Sequence, residues 1–574
     1  MLTAQIPMLD KLFWLGPEID LTGAILAVLL IDLWKIGRGR SSTWLLAPLI
    51  AFLACWGLLA GAGGFGAWVL PEFLGLVAIY LLFTLADLRG SSSRAWVLGV
   101  TALIGTGVAL WRWLQQGFIL MKGSGLAMTI WGGLVRVDGF GFFLKGLALL
   151  SLAAALILVI SFRPMKQGAG RQGVPEYLCC LLGATLGGLL LVATQHVLFL
   201  FLALETLSLS SYLQAGMLKN ERRSTEASIK YLVYGSVASG IMLFGFSLLY
   251  GFSGSWGLGG IGEFVANVPK HSPEGVLMAL GLLAGVGGFA YKLSLVPFHF
   301  WAPDVYEGAP TPTTAFLTVA SKAVSFGIFL RLLFALTGDV VWTPGLVQLL
   351  AIVAALTMTL GNFAALRQQN LKRLLGYSSI AHAGYIMMGA VAVYHFLHDP
   401  QLGGVRENLF MGRSYAAVLF YLAAYMLMNL GAFAVLVFLS NRTQNEDLRQ
   451  IRGLGWKSPW VAGAMIVFLL SLTGIPPTAG FFAKWYIFRV TIDGGFLWLA
   501  IVAALNTVLS LFYYFRIAKA LFLAPEKEAL YKAPTGVSLS ALILVLAAAT
   551  LLLGVFPEGI HDLAIHAARS LSLR

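Results

Sequence analysis

The chain is a succession of apolar runs, each close to 20 residues long, joined by short polar loops. An α-helix of about 20 residues is what crosses a bilayer core of roughly 30 Å, so about sixteen spans are expected. They fall at 20–38, 43–62, 69–88, 95–114, 139–161, 175–194, 196–217, 226–251, 275–299, 312–336, 344–364, 374–396, 415–439, 459–489, 496–519 and 537–556. Composition fixes the class. The chain is 59% hydrophobic and only 11% charged, with mean hydropathy +0.85, whereas a soluble domain carries roughly 25% charged residues. Backbone groups in lipid must be satisfied internally, and runs of this length exclude a β-barrel. The expected fold is therefore an all-α polytopic membrane protein.

The formal charge of +13 does not point to nucleic acid, because the basic residues sit in short loops between spans. Clusters follow the odd-numbered spans: Lys35/Arg38/Arg40, Arg89/Arg94, Arg163/Lys166/Arg171, Lys219/Arg222/Arg223, Arg367/Lys372/Arg373, Arg442/Arg449/Arg452/Lys457 and Lys519/Lys527/Lys532. Such alternation places the basic loops in the cytoplasm and both termini on the opposite side. One odd loop departs from it: Ala302–Pro312 carries Asp304 and Glu307 and neither Lys nor Arg. The three cysteines, Cys55, Cys179 and Cys180, lie in apolar segments with no metal-ligand spacing and no disulfide framework. The start, MLTAQIPMLDKLF, lacks the form of a cleavable signal peptide.

Internal repetition suggests the organisation. PEIDLTGAILAVLLIDLWK is echoed by PEFLGLVAIYLLFTLADLR, with Pro17-Glu18 and Pro71-Glu72 opening the two copies. Spans six to ten and eleven to fifteen form two groups of five. An odd group size makes the second group enter from the opposite face, as inverted repeats do. Each group has a proline break in its fourth span, at Pro297 in LSLVPFHFWAP and at Pro476 and Pro477 in SLTGIPPTAGFFAKWY. A proline there frees a backbone carbonyl, which membrane proteins tolerate only in a protein-lined or wet setting. The expected division is 1–134 (N-terminal hairpins), 135–174 (a linking span), 175–336 and 344–523 (the two five-helix repeats), and 524–574 (a final span and tail).

Ionisable residues inside spans are costly and usually functional. Glu205, in FLALETLSLSSY, lies about ten residues into its span, or roughly 15 Å at 1.5 Å per residue. Lys322, in TVASKAVSFG, is equally deep. Lys292 falls toward the cytoplasmic half, and Lys484, in the reversed repeat, toward the outer half; each neighbours a helix break. Lys230 stands one turn after Glu226, so an i,i+4 pair explains it cheaply. His382 reads equally as a polar relay or as a satisfied buried histidine. Asp304 and Glu307 are expected to shape their loop. A buried carboxylate near a lysine stabilises its charged form, and separating the two releases a proton. Lysine suits such a relay because, unlike arginine, it can become neutral.

Four stretches carry a family resemblance: AYKLSLVPFHFWAPDVYEGAPTPTTAFL, ASKAVSFGIFLRL, NLKRLLGYSSIAHAGY and RSTEASIKYLVYG. They closely resemble the antiporter-like subunit N of bacterial respiratory complex I, from about Val135 to the C-terminus. The resemblance implies a proton-translocating subunit of NADH:quinone oxidoreductase with no redox cofactor of its own; flavin, iron–sulfur clusters and quinone are expected in partner subunits. It implies Glu205 and Lys292 as a charged pair, Lys322 as central relay, Lys484 as terminal relay, and Lys230 as a further family lysine. It further implies a bacterial inner-membrane protein contacting the other membrane subunits and, indirectly, the quinone pool. The family usually has fourteen spans, so this chain carries an extra N-terminal hairpin. A subunit of a multisubunit cation/proton antiporter, or of a complex I-related membrane hydrogenase, is the alternative reading.

Overall fold

The structure, a computed structural model, describes residues 14–36, 94–122, 127–166, 173–269, 272–337, 343–396, 405–443, 446–449, 451–523 and 536–572. The expected spans 43–62 and 69–88, and with them the second copy of the N-terminal repeat, lie outside the described residues. In chain order the helices are α1 (Gly16–Ile36), α2 (Arg94–Lys122), α3 (Gly139–Ser161), α4 (Val174–Ala193), α5 (Val197–Ala215), α6 (Arg222–Ser253), α7 (Leu258–Asn267), α8 (Pro273–Lys292), α9 (Trp301–Gly308) and α10 (Thr311–Phe316). A π-helical turn, Leu317–Ser321, leads into α11 (Lys322–Thr337). Then come α12 (Thr343–Leu366), α13 (Leu371–Phe396), α14 (Val405–Thr443), α15 (Leu454–Lys457), α16 (Pro459–Thr473), α17 (Ala479–Asp493), α18 (Leu497–Phe522), α19 (Val537–Val555) and α20 (Glu558–Ser572). A small hairpin, β1 (Met128–Ile130) with β2 (Val135–Val137), precedes α3; the sequence reading had no strand there.

Among the described residues, ten helices are long and apolar enough to cross a membrane. The bundle is centred on the continuous run α10–α11 and on α14, whose membrane windows are 100% and 94% buried by the rest of the chain. Helix α14 packs on α3, α10, α13, α16, α17, α19 and α20. Lipid tails are as apolar as leucine, so close packing rather than hydrophobicity must hold these helices together. Small residues supply it where α12 meets α13: a Cβ on Gly361 would stand 2.7 Å from the Ala381 nitrogen.

Helix α1 packs on α2 and α4 although residues 37–93 separate it from α2 in sequence. Its first turn is anchored by buried ion pairs, Glu18 to Lys145 of α3 at 2.5 Å and Asp20 to Arg112 of α2 at 3.1 Å. A second anchor sits at the start of α3. Asp138 caps it by accepting from the Gly141 N–H at 2.8 Å, and also binds Arg331 of α11 through two bonds of 2.8 and 2.9 Å and Arg136 at 2.9 Å. One carboxylate thus satisfies a helix terminus and joins two helices. The sequence reading missed Lys145 and Arg331, although each is a lone cation in an apolar run and meets the criterion that selected Lys322.

Both expected breaks are present. Helix α8 ends at Lys292, and the Leu295 N–H reaches back to the Ala290 carbonyl at 2.8 Å with Ser294 between them at φ 59°. Helix α16 ends at Thr473, and the Ile475 N–H reaches Leu470 O at 3.0 Å with Gly474 at φ 92°. Each is a left-handed helix stop closed by a six-residue hydrogen-bonded turn. The prolines follow at once, after the cis bonds Val296–Pro297 and Pro476–Pro477. The expected span 459–489 is accordingly two helices.

The Asp138 anchor is testable. Removing one partner of a buried pair typically costs about 3–5 kcal/mol, so Arg331→Ala should markedly lower the thermal unfolding temperature of the detergent-purified protein. An unchanged transition would refute the anchoring role.

Candidate functional site

The three deep lysines each sit where the backbone or a serine offers oxygen. Lys292, the last residue of α8, donates to Ser208 Oγ of α5 at 2.9 Å, with the Tyr231 ring 5.7 Å away. Lys322 follows the π-helical turn and donates to Ser379 of α13, at 2.7 Å to the carbonyl and 2.5 Å to Oγ. Thr318 in that turn accepts from Asn429 of α14 at 2.8 Å, so the wide turn is tied to the central helix. Lys484 reaches back across the second break and donates to the freed Thr473 carbonyl at 2.7 Å, while lying 4.8 Å from the centre of the Tyr385 ring. All three are buried, at 2–6% exposure.

The halves of the second break meet closely enough for that bond because residue 480 is glycine. A Cβ there would stand 1.7 Å from the Ser471 carbonyl oxygen, and the Gly480 N–H donates to Ser471 Oγ at 3.0 Å.

Glu205 and Lys292 lie on neighbouring helices but do not touch. Glu205 accepts from Ser239 of α6 at 2.5 Å, whereas the Lys292 ammonium goes to Ser208, one turn beyond Glu205. Lys230 stands apart from the deep row. It pairs with Glu226 at 2.7 Å, as the i,i+4 spacing predicts, and equally with Asp304 of α9 at 2.7 Å.

His382 is held between two tyrosines. Its Nδ1 meets Tyr421 at 2.8 Å and its Nε2 meets Tyr514 at 3.3 Å; Tyr514 in turn contacts Ser378, the neighbour of the serine that holds Lys322. Both ring nitrogens of this buried histidine are thus hydrogen-bonded.

The acidic loop also finds its explanation. Asp304 accepts from Lys230 and from Arg373 of α13 at 2.8 Å, and Glu307 pairs with Arg373 at 2.8 Å and with Arg223 at 3.7 Å. Next to it, Lys372 donates to Ala309 O at 2.9 Å and pairs with Glu446 at 3.1 Å; Glu446 also accepts from Thr311 and Ser440. The loop lacks its own basic residues because it serves as counter-charge to its neighbours. Burial alone would raise the Asp304 carboxyl, but the Lys230 and Arg373 bonds and charges hold it below the ordinary carboxylate value.

Among the described residues, no group of three or more His, Cys, Asp or Glu side chains could hold a metal ion.

A buried bundle with two broken helices and deep lysines beside them defines an antiporter-like membrane subunit. Residues 194–397 and 400–510 match the family described as NADH:quinone oxidoreductase/Mrp antiporter, TM, and the chain belongs to that family. It is 37% identical to NADH-quinone oxidoreductase subunit N 2 of Chloroherpeton thalassium, over 82% of this chain and 87% of the relative. With NADH-quinone oxidoreductase subunit N 2 of Solibacter usitatus it shares 39% over 79% and 86%. A chain of respiratory complex I from Thermus thermophilus, solved with bound aureothin, superposes with TM-score 0.65 at 31% identity, covering 85% of this chain and 98% of that one.

Two predictions follow from this geometry. Gly480→Ala should reduce the amount of folded protein in the membrane, measured by immunoblot, since the clashing atom is backbone; wild-type levels would sink the close-approach argument. The charged loop is partly exposed and hence screened, so Asp304→Asn should lower the melting temperature at low salt and much less at high salt. Because the Asp304 value is depressed, its contribution is present above the unfolded value of 3.8 and is lost only as pH falls through the folded one. The salt-sensitive difference between wild type and Asp304→Asn should therefore persist from about pH 8 down to about pH 5; its disappearance near neutrality would contradict the assignment.

Proposed function

We propose that this chain is the proton-translocating, antiporter-like subunit of a bacterial NADH:quinone oxidoreductase, moving protons along Glu205, Lys292, Lys322, His382 and Lys484, with Lys230 at the edge of the row. One observation carries the relay. Lys145, Lys230 and Lys372 are all paired with carboxylates, whereas Lys292, Lys322 and Lys484 contact only neutral oxygens. A carboxylate in contact fixes a lysine in its charged form; a serine or carbonyl stabilises the ammonium without holding it so firmly. Among the described lysines that are buried, these three are the ones with no carboxylate in contact.

The physical cycle is one of mutual charge. Glu205 stabilises a proton on Lys292 from across the gap, and neutralising or displacing that carboxylate weakens the hold. A proton arriving at one lysine repels the proton on the next, so charge is handed along the row through His382 toward Lys484. The breaks supply polar backbone at membrane depth, which is the setting such a site requires. Two inverted five-helix repeats, at 175–336 and 344–523, account for the matching breaks. The chain holds no redox centre in this reading; flavin, iron–sulfur clusters and quinone belong to partner subunits, and coupling to quinone reduction passes through the other membrane subunits. The protein resides in the bacterial inner membrane with both termini on the periplasmic side.

Arginine essentially cannot become neutral, so both Lys322→Ala and Lys322→Arg should assemble on native gels and lose pumping in vesicles by on the order of tenfold or more. Glu205→Gln should impair pumping with assembly retained. An assembled Lys322→Arg complex that pumps like wild type would remove Lys322 from the relay. Topology has its own check: an engineered cysteine at position 449 should be shielded from an impermeant reagent in intact cells, and ready labelling would reverse the orientation.

A further inference from the structure

The two helix breaks run in register up to a single position. The left-handed residue is Ser294 in one and Gly474 in the other, and the next N–H, of Leu295 or Ile475, reaches back to Ala290 or Leu470. They part at the residue that follows, which is Val296 in the first break and Pro476 in the second. A proline has no N–H, so the second turn is closed within itself. The Val296 N–H is a donor set free at membrane depth, where lipid has nothing to offer it.

Its acceptor comes from another helix. Val296 N–H donates to Thr357 Oγ1 of α12 at 3.0 Å, and that hydroxyl donates in turn to the Val353 carbonyl at 2.6 Å. The hydroxyl hydrogen is thereby committed, and its lone pairs are left for the break. Thr357 is fully buried, and the helix that carries it is itself held. Asn362 donates to Asn506 of α18 at 3.1 Å and accepts from Tyr513 at 2.9 Å, while Asn506 donates to Thr359 at 3.0 Å. On the side of α13, a Cβ on Gly384 would stand 2.8 Å from the Ala354 carbonyl oxygen, so the two backbones are in close contact.

Lys292, the last residue of α8, is joined to Val296 by a closed turn. Leu293 donates to Phe289 at 2.9 Å, Ser294 to Tyr291 at 3.0 Å and Leu295 to Ala290 at 2.8 Å. A shift at Val296 is therefore carried back to the ammonium that meets Ser208. We propose that Thr357 is a positioning residue for Lys292: by accepting from Val296 it holds the first break against α12, so that the second half of the bundle sets where the Lys292 ammonium lies. No proton passes through Thr357, and the second break needs no such hold because Pro476 removes the donor. This rests on the relay reading above.

The test uses the assembled complex in vesicles, read as protons pumped per quinone reduced and normalised to complex on a native gel. Thr357→Val keeps the shape of the side chain and deletes the acceptor. Val296→Pro deletes the donor instead and gives the first break the Pro-Pro sequence of the second, so that no buried N–H is left unsatisfied. Each should assemble and lower the ratio by on the order of threefold or more, since transfer steps that depend on geometry are sensitive to displacements of about 1 Å. Thr357→Ser keeps the hydroxyl and should pump close to wild type. The double variant Thr357→Val/Val296→Pro should be no worse than the worse single one, because both remove the same bond. A normal ratio in either assembled single variant, additive losses in the double, or a Thr357→Ser ratio as low as that of Thr357→Val overturns the proposal. Should one single variant fail to assemble, the other decides; failure of both makes the bond purely architectural and overturns the positioning role as well. Lys292→Ala separates the two levels. Wild-type pumping in that variant defeats the relay itself, whereas loss there beside normal pumping in Val296→Pro defeats only the role of Thr357.

Discussion

The constraint on which this structure depends is that an ammonium at membrane depth must be given oxygen. Desolvating a charge is expensive, and lipid offers nothing in return. The chain meets the demand in two ways. At Glu18–Lys145 and Asp138–Arg331 it buries a carboxylate with the cation and obtains a fixed joint between helices. At Lys292, Lys322 and Lys484 it supplies serine hydroxyls and backbone carbonyls instead. The first solution makes architecture, and the second leaves each ammonium without a carboxylate in contact.

The helix breaks follow from the second solution. An intact helix spends its carbonyls first on its own ladder, and where Lys322 shares one, at Ser379, the side-chain hydroxyl of the same residue assists. Stopping α16 at Thr473 frees the carbonyl that Lys484 uses, and the glycine at 480 lets the second half of the helix come close enough to deliver the lysine. The π-helical turn before Lys322 is a smaller irregularity of the same kind, a feature often found at functional positions. In the first break the Tyr291 carbonyl accepts both the Ser294 N–H and the Trp301 indole, and Lys292 turns to a serine on a different helix. The two breaks share their turn geometry and differ in what they satisfy.

The ion-pair cluster at Asp304 sets how the two halves of the bundle meet. It ties α9, which follows the first break, to α6 through Lys230 and to α13 through Arg373. Helix α13 also carries Ser379, which holds Lys322, and His382, so the clasp and these polar sites share one helix. A shift of α9 against α13 would alter both at once.

Much of this was legible in the sequence, for a physical reason: a membrane permits few solutions. The apolar period, the loop charges, the proline breaks and the lone ions in spans each report a cost that the chain must bear locally. Lys322, Lys292, Lys484 and Glu205 could be named because a charge inside an apolar run is conspicuous one residue at a time. What tertiary structure alone decided is who answers each charge. Nothing local distinguishes Ser208, Ser379 or the Thr473 carbonyl from other serines and carbonyls, since they become acceptors only by packing. The same holds for the acidic loop, which looked anomalous until Arg373 and Lys230, far away in sequence, were seen beside it. Glu205 and Lys292 could be read as a pair from their types, but whether they touch depends on helix rotation, and it is Ser208 that α5 presents to the lysine.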